Sequence, residues 1–411
     1  MKAARTGTAL VVGFLLGAWL TLSLQSSGQI PPAPGELTPS TQRGSGSGHA
    51  PGSPPVLRPE APRTFLAWTP GGLPAGFRDA VRDVPGISRS VVVASDVVWM
   101  TRSLSPDGTV VDGPGGGLAI PIEVSAVAPT EYAPFLPPAD RSVVVPLARG
   151  QGVMGRMSSE VRGFGAGGRL EFGSAPVTVA AVLPDELVGA NELMVSRATA
   201  ARIGVHTDRY ALLQPADGLS ELGLTTRLRA ILPPGQPLRV RAPGETPYFR
   251  QGDAVLPQVR LKQLFGEFAA RPEGGDLRID QAWEASHIAT ERVPILGEVR
   301  CNRGLFAALR GALRDVVRDG LASEIRPEEY GGCYSPRFVL HHAGAGLSHH
   351  AWGVAIDLDV AENPYGERPT MDPGVVAIFR QWGFAWGGDW LVPDGMHFEF
   401  HASPGTGHMV P

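Results

Sequence analysis

Two hydrophobic rhythms run through this chain. Near its C-terminus Trp352, Val354, Ile356, Leu358 and Val360 alternate with Gly353, Ala355, Asp357 and Asp359. That period of two predicts a half-buried strand with its small and acidic residues on one face, so Asp357 points away from the core. Met396, Phe398 and Phe400 alternate in the same way with His397 and Glu399, and a second strand therefore sends His397 from a polar face while the aromatics anchor it. Helical spacing appears instead at Leu305, Phe306, Leu309, Leu313, Val316 and Val317, between an Asn302 cap and Gly320; the arginines fall mostly on the other face. Asp372-Pro373 opens a second helix with a capping residue and a proline at its first position, and Gly383 closes it.

Upstream the pattern changes. From about 64 to 250 the chain alternates β-rich runs at 89–100, 118–127, 142–147, 169–182 and 238–241 with few helical stretches, 76–84 and 219–231 among them. Residues 26–63 are rich in Pro, Gly and Ser with few large apolar side chains, a composition that suits a tether and cannot bury a core. Before it, 8–24 is an almost wholly apolar run, preceded by Lys2 and Arg5. The expected organisation is α+β: a membrane segment in 1–25, a linker at 26–63, a β-rich α+β domain at 64–250, a connector at 251–290, and a domain at 291–411 in which helices flank a small antiparallel sheet.

The chemistry concentrates in the last domain. His350, Asp357 and His397 make a two-imidazole, one-carboxylate set that would hold Zn2+ with a fourth position open for water, as hydrolytic zinc needs. Two adjacent strands would present Asp357 and His397 together, and His350 would close the triangle from the turn before the first strand. Pro393-Asp394-Gly395 is turn chemistry that can set a carboxylate beside the metal without coordinating it, so Asp394 is the natural base. Asp359 shares a face with Asp357 and competes as a ligand. Glu399 suits the role of accepting the second nitrogen of a metal-bound imidazole. The remaining histidines, His349 included, read as packed or surface residues.

These motifs carry a family resemblance. Ser348-x-His350-x-x-Gly353-x-Ala355-x-Asp357, then Gly383-Phe384-x-Trp386-Gly387-Gly388-Asp389-Trp390, then Asp394-x-x-His397-Phe398-Glu399 resembles the M15 metallopeptidases, the D-alanyl-D-alanine carboxypeptidases and L-alanyl-D-glutamate endopeptidases of bacterial cell walls. The likeness extends upstream through Tyr334-Ser335-Pro336-Arg337 and covers roughly 291–405. It implies that His350, Asp357 and His397 bind zinc, that Asp394 is the general base, that Arg337 polarises the scissile carbonyl or holds a substrate carboxylate, and that Ser348 hydrogen-bonds the substrate. Its implied substrate is a peptidoglycan stem peptide. Many members place Glu at the position of Asp394; Asp is closer to the endopeptidase branch. The alternative is a non-catalytic zinc-binding module that holds the wall or a partner.

Location follows from the other residues. Basic residues on the short N-terminal side of 8–24 predict an N-in, C-out anchor, with a cleaved signal peptide as the alternative. Cys301 and Cys333 are the two cysteines of the chain, and in an oxidising compartment such a pair reads as a disulfide, two separate buried thiols being the other reading. The bridge would join the start of the 305–317 helix to a strand carrying Arg337 and leave the metal ligands outside its loop. A formal net charge of −4 gives no support for nucleic-acid binding. Residues 165–204 resemble the extracytoplasmic domains of MacB and FtsX-type transporter permeases, which implies a binding or positioning role and a protein partner for the 64–250 domain.

Overall fold

The computed structural model describes residues 63–245 and 250–401; the apolar run at 8–24 and most of the tether lie outside them. Among the described residues no helix is long and apolar enough to cross a membrane. The fold is α+β. Its larger part is an eleven-stranded sheet, ordered Arg239–Arg241, Phe65–Trp68, Asp208–Pro215, Ile87–Met100, Ile120–Val127, Leu193–Ser196, Gly152–Gly155, Ala175–Leu183, Arg169–Phe172, Arg102–Leu104 and Val110–Asp112. Neighbours run antiparallel except at two places, Ile120–Val127 beside Leu193–Ser196 and Gly152–Gly155 beside Ala175–Leu183. The expected strand at 142–147 is absent. A 3₁₀ helix, Pro138–Val143, leads there into the α-helix Val144–Ala148, because Pro146 cannot donate to a ladder but is tolerated in a first helical turn.

The peptidase-like motifs lie on smaller elements. Ala355–Asp357, His397–Phe400 and Phe384–Trp386 form a three-stranded antiparallel sheet with His397–Phe400 in the middle. Against it pack the helices Phe306–Arg318 and Pro373–Gln381. The second of these is capped as the sequence suggests, with the Asp372 carboxylate accepting from the Gly374 and Val375 N–H groups. The expected long strand at 352–360 shrinks to Ala355–Asp357, and residues 351–359 are buried without alternation. The period-two pattern separates core from a polar interior site, not core from water. Cys301 lies in the strand Gly297–Asn302, hairpinned to Ile288–Val293, and not at a helix start; Arg337 makes only an isolated bridge to Asp276.

One hydrophobic cluster runs from Leu256 to Phe400, so the segment expected as a connector contributes Leu261, Phe265, Phe268 and Trp283 to the core that backs the site. Buried charge ties this segment to the large sheet. Lys262 Nζ lies 2.8 Å from both Glu192 and Glu267 and donates to the Pro121 carbonyl at 2.5 Å. Arg162 joins the same group, 2.5 Å from Glu267 and 2.9 Å from Asp112. Burial pushes the Glu267 carboxyl up, but Lys262 and Arg162 pull it down to about 2.

Removing one member of a buried, mutually compensated set leaves an unpaired charge and costs about 3–5 kcal/mol. Lys262→Ala should therefore lower the denaturation midpoint of the full chain by far more than substitution of an exposed arginine such as Arg318. Equal midpoints for the two variants in urea titrations would show the network to be energetically idle.

Candidate metal centre

The site is assembled by one strand register and one turn. Asp357 pairs directly with His397 across the antiparallel strands, and partners on adjacent strands point to the same face. His350 comes from the 3₁₀ turn His349–Trp352, which Ser348 caps: its hydroxyl oxygen accepts from the His350 N–H at 3.3 Å. Gly353 ends that turn with φ +68°, where a Cβ would meet the Asn302 backbone nitrogen at 2.7 Å. The turn is thus closed against Asn302, whose N–H donates to the Gly353 carbonyl and whose amide donates to Trp352.

Three side chains converge. His350 Nε2 is 3.1 Å from Asp357 Oδ2 and 3.2 Å from His397 Nδ1, and His397 Nδ1 is 2.8 Å from Asp357 Oδ1. Their ligand atoms all lie within 4.8 Å of one another, and all three residues are buried. The second nitrogen of each imidazole is already committed: His350 Nδ1 donates to the Cys333 carbonyl at 2.8 Å, and His397 Nε2 faces Glu399 at 3.2 Å. Such outer bonds fix the tautomer and aim the free lone pair inward, and the donor set of two nitrogens and a carboxylate suits zinc. The residues present therefore fit the ion that the motifs imply.

The electrostatics agree with a cationic centre. Burial works against ionisation of Asp357, yet hydrogen bonds from His350 and His397 hold its carboxyl well below the usual carboxylate range. Burial likewise opposes a charged His397, and Asp357 and Glu399 overcome it, raising that imidazole to about 10. Glu399 is also held low: its burial is outweighed by His349 and His397.

Around this set the other expected residues fall into place unequally. Asp394 starts the turn into the His397 strand, its carbonyl accepting from the His397 N–H at 3.1 Å. Burial raises its carboxyl above the ordinary value, with the nearby Asp357 and Glu399 charges adding to the rise and His397 and His350 opposing it. Its Oδ1 is buried without a hydrogen-bond partner among the described residues. Gly387 lets this turn approach, since a Cβ there would stand 2.6 Å from the Asp394 carbonyl oxygen. Arg337 reaches the edge of the centre, 3.9 Å from Asp357 Oδ2. Ser348 is buried in its capping role. Asp359 is turned away: it sits at φ +50° and accepts from the Arg326 N–H at 2.7 Å, which removes it as a competing ligand.

Two contributors were not legible in the pattern. His349 is buried with Nδ1 3.1 Å from Glu399 Oε1, so Glu399 stands between two imidazoles; a shared face of His397 and Glu399 hinted at one of them only. The Cys333 carbonyl is a backbone group and left no mark in the sequence. Cys301 and Cys333 form a disulfide with a Cα–Cα distance of 5.4 Å. The bridged segment is stitched to the centre as well, for Gly331 donates to the Asp357 carbonyl, Asp357 to that of Gly332, and Ser335 to that of His350. The ligands lie outside the covalent loop, as expected, and these backbone bonds nevertheless tie the bridged segment to Asp357 and His350.

Residues 341–400 match the M15 peptidase family described as D-alanyl-D-alanine carboxypeptidase. That span includes His350, Asp357, Asp394, His397 and Glu399, while Arg337 and both cysteines lie upstream of it. The chain thus carries a peptidase-like domain here, as its motifs suggest. Among solved structures, similarity is found to the periplasmic region of MacB from Actinobacillus actinomycetemcomitans, at 10% identity over 46% of this chain and 92% of that one, with a TM-score of 0.30. It is also found to the extracellular domain of the noncanonic ABC-type transporter YknZ from Gram-positive bacteria, at 14% identity over 41% and 92%, with a TM-score of 0.26. None of the curated proteins matches the chain.

Two outcomes are expected for the peptidase-like domain. Glu399→Gln should weaken zinc affinity about 10–100-fold, the usual effect of losing a carboxylate behind a ligand imidazole, as read by competition with a chromogenic chelator. Opening the bridge in Cys301→Ser/Cys333→Ser, which closes a 32-residue separation, should cost about 3–4 kcal/mol in chain entropy. It should also loosen zinc, because the Cys333 carbonyl orients His350. Unchanged zinc affinity in the double variant would confine the bridge to stability alone.

Proposed function

We propose that this chain is a zinc-dependent peptidase hydrolysing amide bonds in the peptide stems of peptidoglycan, with its C-terminal body outside the cytoplasmic membrane. The observation that carries the reading is the convergence of His350, Asp357 and His397 on one point, each imidazole aimed by a second bond, with an acid and a guanidinium beside them. Zinc bound there would polarise a carbonyl and bring the pKa of water down toward ~7. Asp394 is the base: burial raises its carboxyl above the ordinary value, and it can take a proton from the attacking water and return it to the leaving amine. Arg337 places a guanidinium at the rim, suited to a developing oxyanion or a substrate carboxylate; loss of one such donor costs on the order of 3 kcal/mol in the barrier. Glu399 and the Cys333 carbonyl hold the imidazoles still. The export half of the proposal is supported by the apolar run at 8–24 behind Lys2 and Arg5, and by the disulfide, a bond typical of oxidising compartments.

The test uses the zinc-loaded full chain on purified cell wall, with released peptides read by mass spectrometry; their masses name the bond cut. Wild type should release stem fragments. Asp394→Asn should retain about one zinc per chain and lose several orders of magnitude in rate, whereas His350→Ala should lose the metal. Zinc bound stoichiometrically with no cleavage of any wall would replace the enzyme by the non-catalytic binding module. Protease added to intact spheroplasts should digest the body; protection would refute the extracytoplasmic location.

A further inference from the structure

A cavity of about 560 Å³ has walls from two different parts of the fold and reaches the surroundings of the metal centre at Trp390. One wall belongs to the peptidase-like domain: Trp386 at the end of its edge strand, Trp390 and His401. Trp390 connects this wall to the centre, its ring centroid 5.2 Å from that of His397. The other wall is the strand Arg239–Arg241, one of the two edge strands of the large sheet. Asp253 fixes the spacing between them, because one of its oxygens accepts from the Leu391 N–H at 2.7 Å while the other lies 3.4 Å from Arg241.

The charges on these walls are not equally engaged. Arg241 is nearly buried, paired with Asp253, and donates to the Arg250 carbonyl at 2.8 Å. Arg380 is paired with Asp389. Arg239 is exposed and takes part in no ion pair among the described residues, although the Glu245 carboxylate lines the same cavity. His401 adds a buried Nδ1 without a hydrogen-bond partner among the described residues. A concave site lined by tryptophans, with a guanidinium outside any ion pair and an imidazole nitrogen unpartnered among the described residues, has the make-up of a ligand pocket that orients its guest by a few polar groups.

We infer that the large sheet supplies a substrate subsite to the peptidase, in which Arg239 binds a carboxylate of the peptide at a residue away from the scissile amide. The inference rests on the proposed peptidase reading and deepens it: Arg239 determines specificity and lies outside the segment matched to the peptidase family. Its ligand is a short peptide with a free carboxylate on a flanking residue, which a guanidinium recognises by charge-assisted hydrogen bonds.

The experiment compares two synthetic stem pentapeptides with the same amide bonds, one with its internal carboxylates free and one with them amidated, on the zinc-loaded full chain. The free-carboxylate peptide should show a KM about ten-fold lower, as one charged hydrogen-bonded contact gives. Arg239→Ala should erase that difference by raising KM for this peptide alone, with kcat kept, and Arg239→Lys should restore part of it. Because Arg239 is exposed, folding is not at stake. Equal KM values for both peptides in wild type, or an equal loss on both in Arg239→Ala, would overturn the subsite. Binding of the same peptides, followed by tryptophan fluorescence, separates the two readings. If neither peptide is cleaved but the free one still binds about ten-fold tighter through Arg239, the peptidase reading fails and the subsite stands. If cleavage occurs and binding ignores Arg239, the reverse holds.

Discussion

Everything at the centre of this protein depends on the register that sets Asp357 opposite His397. Strand side chains have a period of two, so a slip of either strand by one residue would send its Asp357 or His397 into the hydrophobic layer and bring Ile356 or Phe398 to the site. The register is held from the apolar side. Phe398 packs against Phe379 at 4.7 Å and Phe400 against Phe384 at 5.3 Å, so any slip that displaced the ligands would also unpack the aromatic layer beneath them.

His350, the third member of the set, has no strand to hold it, and the fold compensates with backbone hydrogen bonds. The turn bearing His350 is capped by Ser348, stopped at Gly353, sealed by Asn302 and braced by the Cys333 carbonyl. The disulfide is part of this brace. It ties the strand that ends at Asn302 to the segment that touches Asp357 and His350, so covalent restraint and ligand orientation meet at Cys333. Small ligand clusters on short elements need such outer support, since a three-residue strand and a single turn have little rigidity of their own.

The wider fold continues that support. Phe265, Phe268 and Trp283 lie behind the site, with Phe268 4.7 Å from Trp352. The buried Lys262 and Arg162 network joins their segment to the large sheet. Arg209 of that sheet reaches the loop before the turn bearing His350, donating to the Gly344 carbonyl at 2.6 Å. The sheet and the peptidase-like domain therefore share a cavity whose walls are held apart by direct contacts.

The sequence by itself determined the elements with strong local rules and the identity of the side chains that meet. The helix capped by Asp372, the long strand now at Ile87–Met100, the His350, Asp357 and His397 set and the pairing of two cysteines were legible, because periodicity, capping and residue chemistry are local or compositional properties. Glu399 behind His397 was legible as well, from its place two residues along the same strand face. Tertiary structure alone decided the rest. The run 352–360 alternates like a surface strand, but its polar face is turned inward onto a site, and no single-chain pattern distinguishes water from a buried polar cluster. Asp359 shares the parity of Asp357 yet is rotated away by a left-handed backbone. His349 joins Glu399, and the Cys333 carbonyl orients His350, through contacts between residues far apart in the chain; a backbone carbonyl has no residue type to announce it. The same reason hides the cavity wall at Arg239: which face of the peptidase-like domain the large sheet covers is set by packing between elements, which local sequence does not encode.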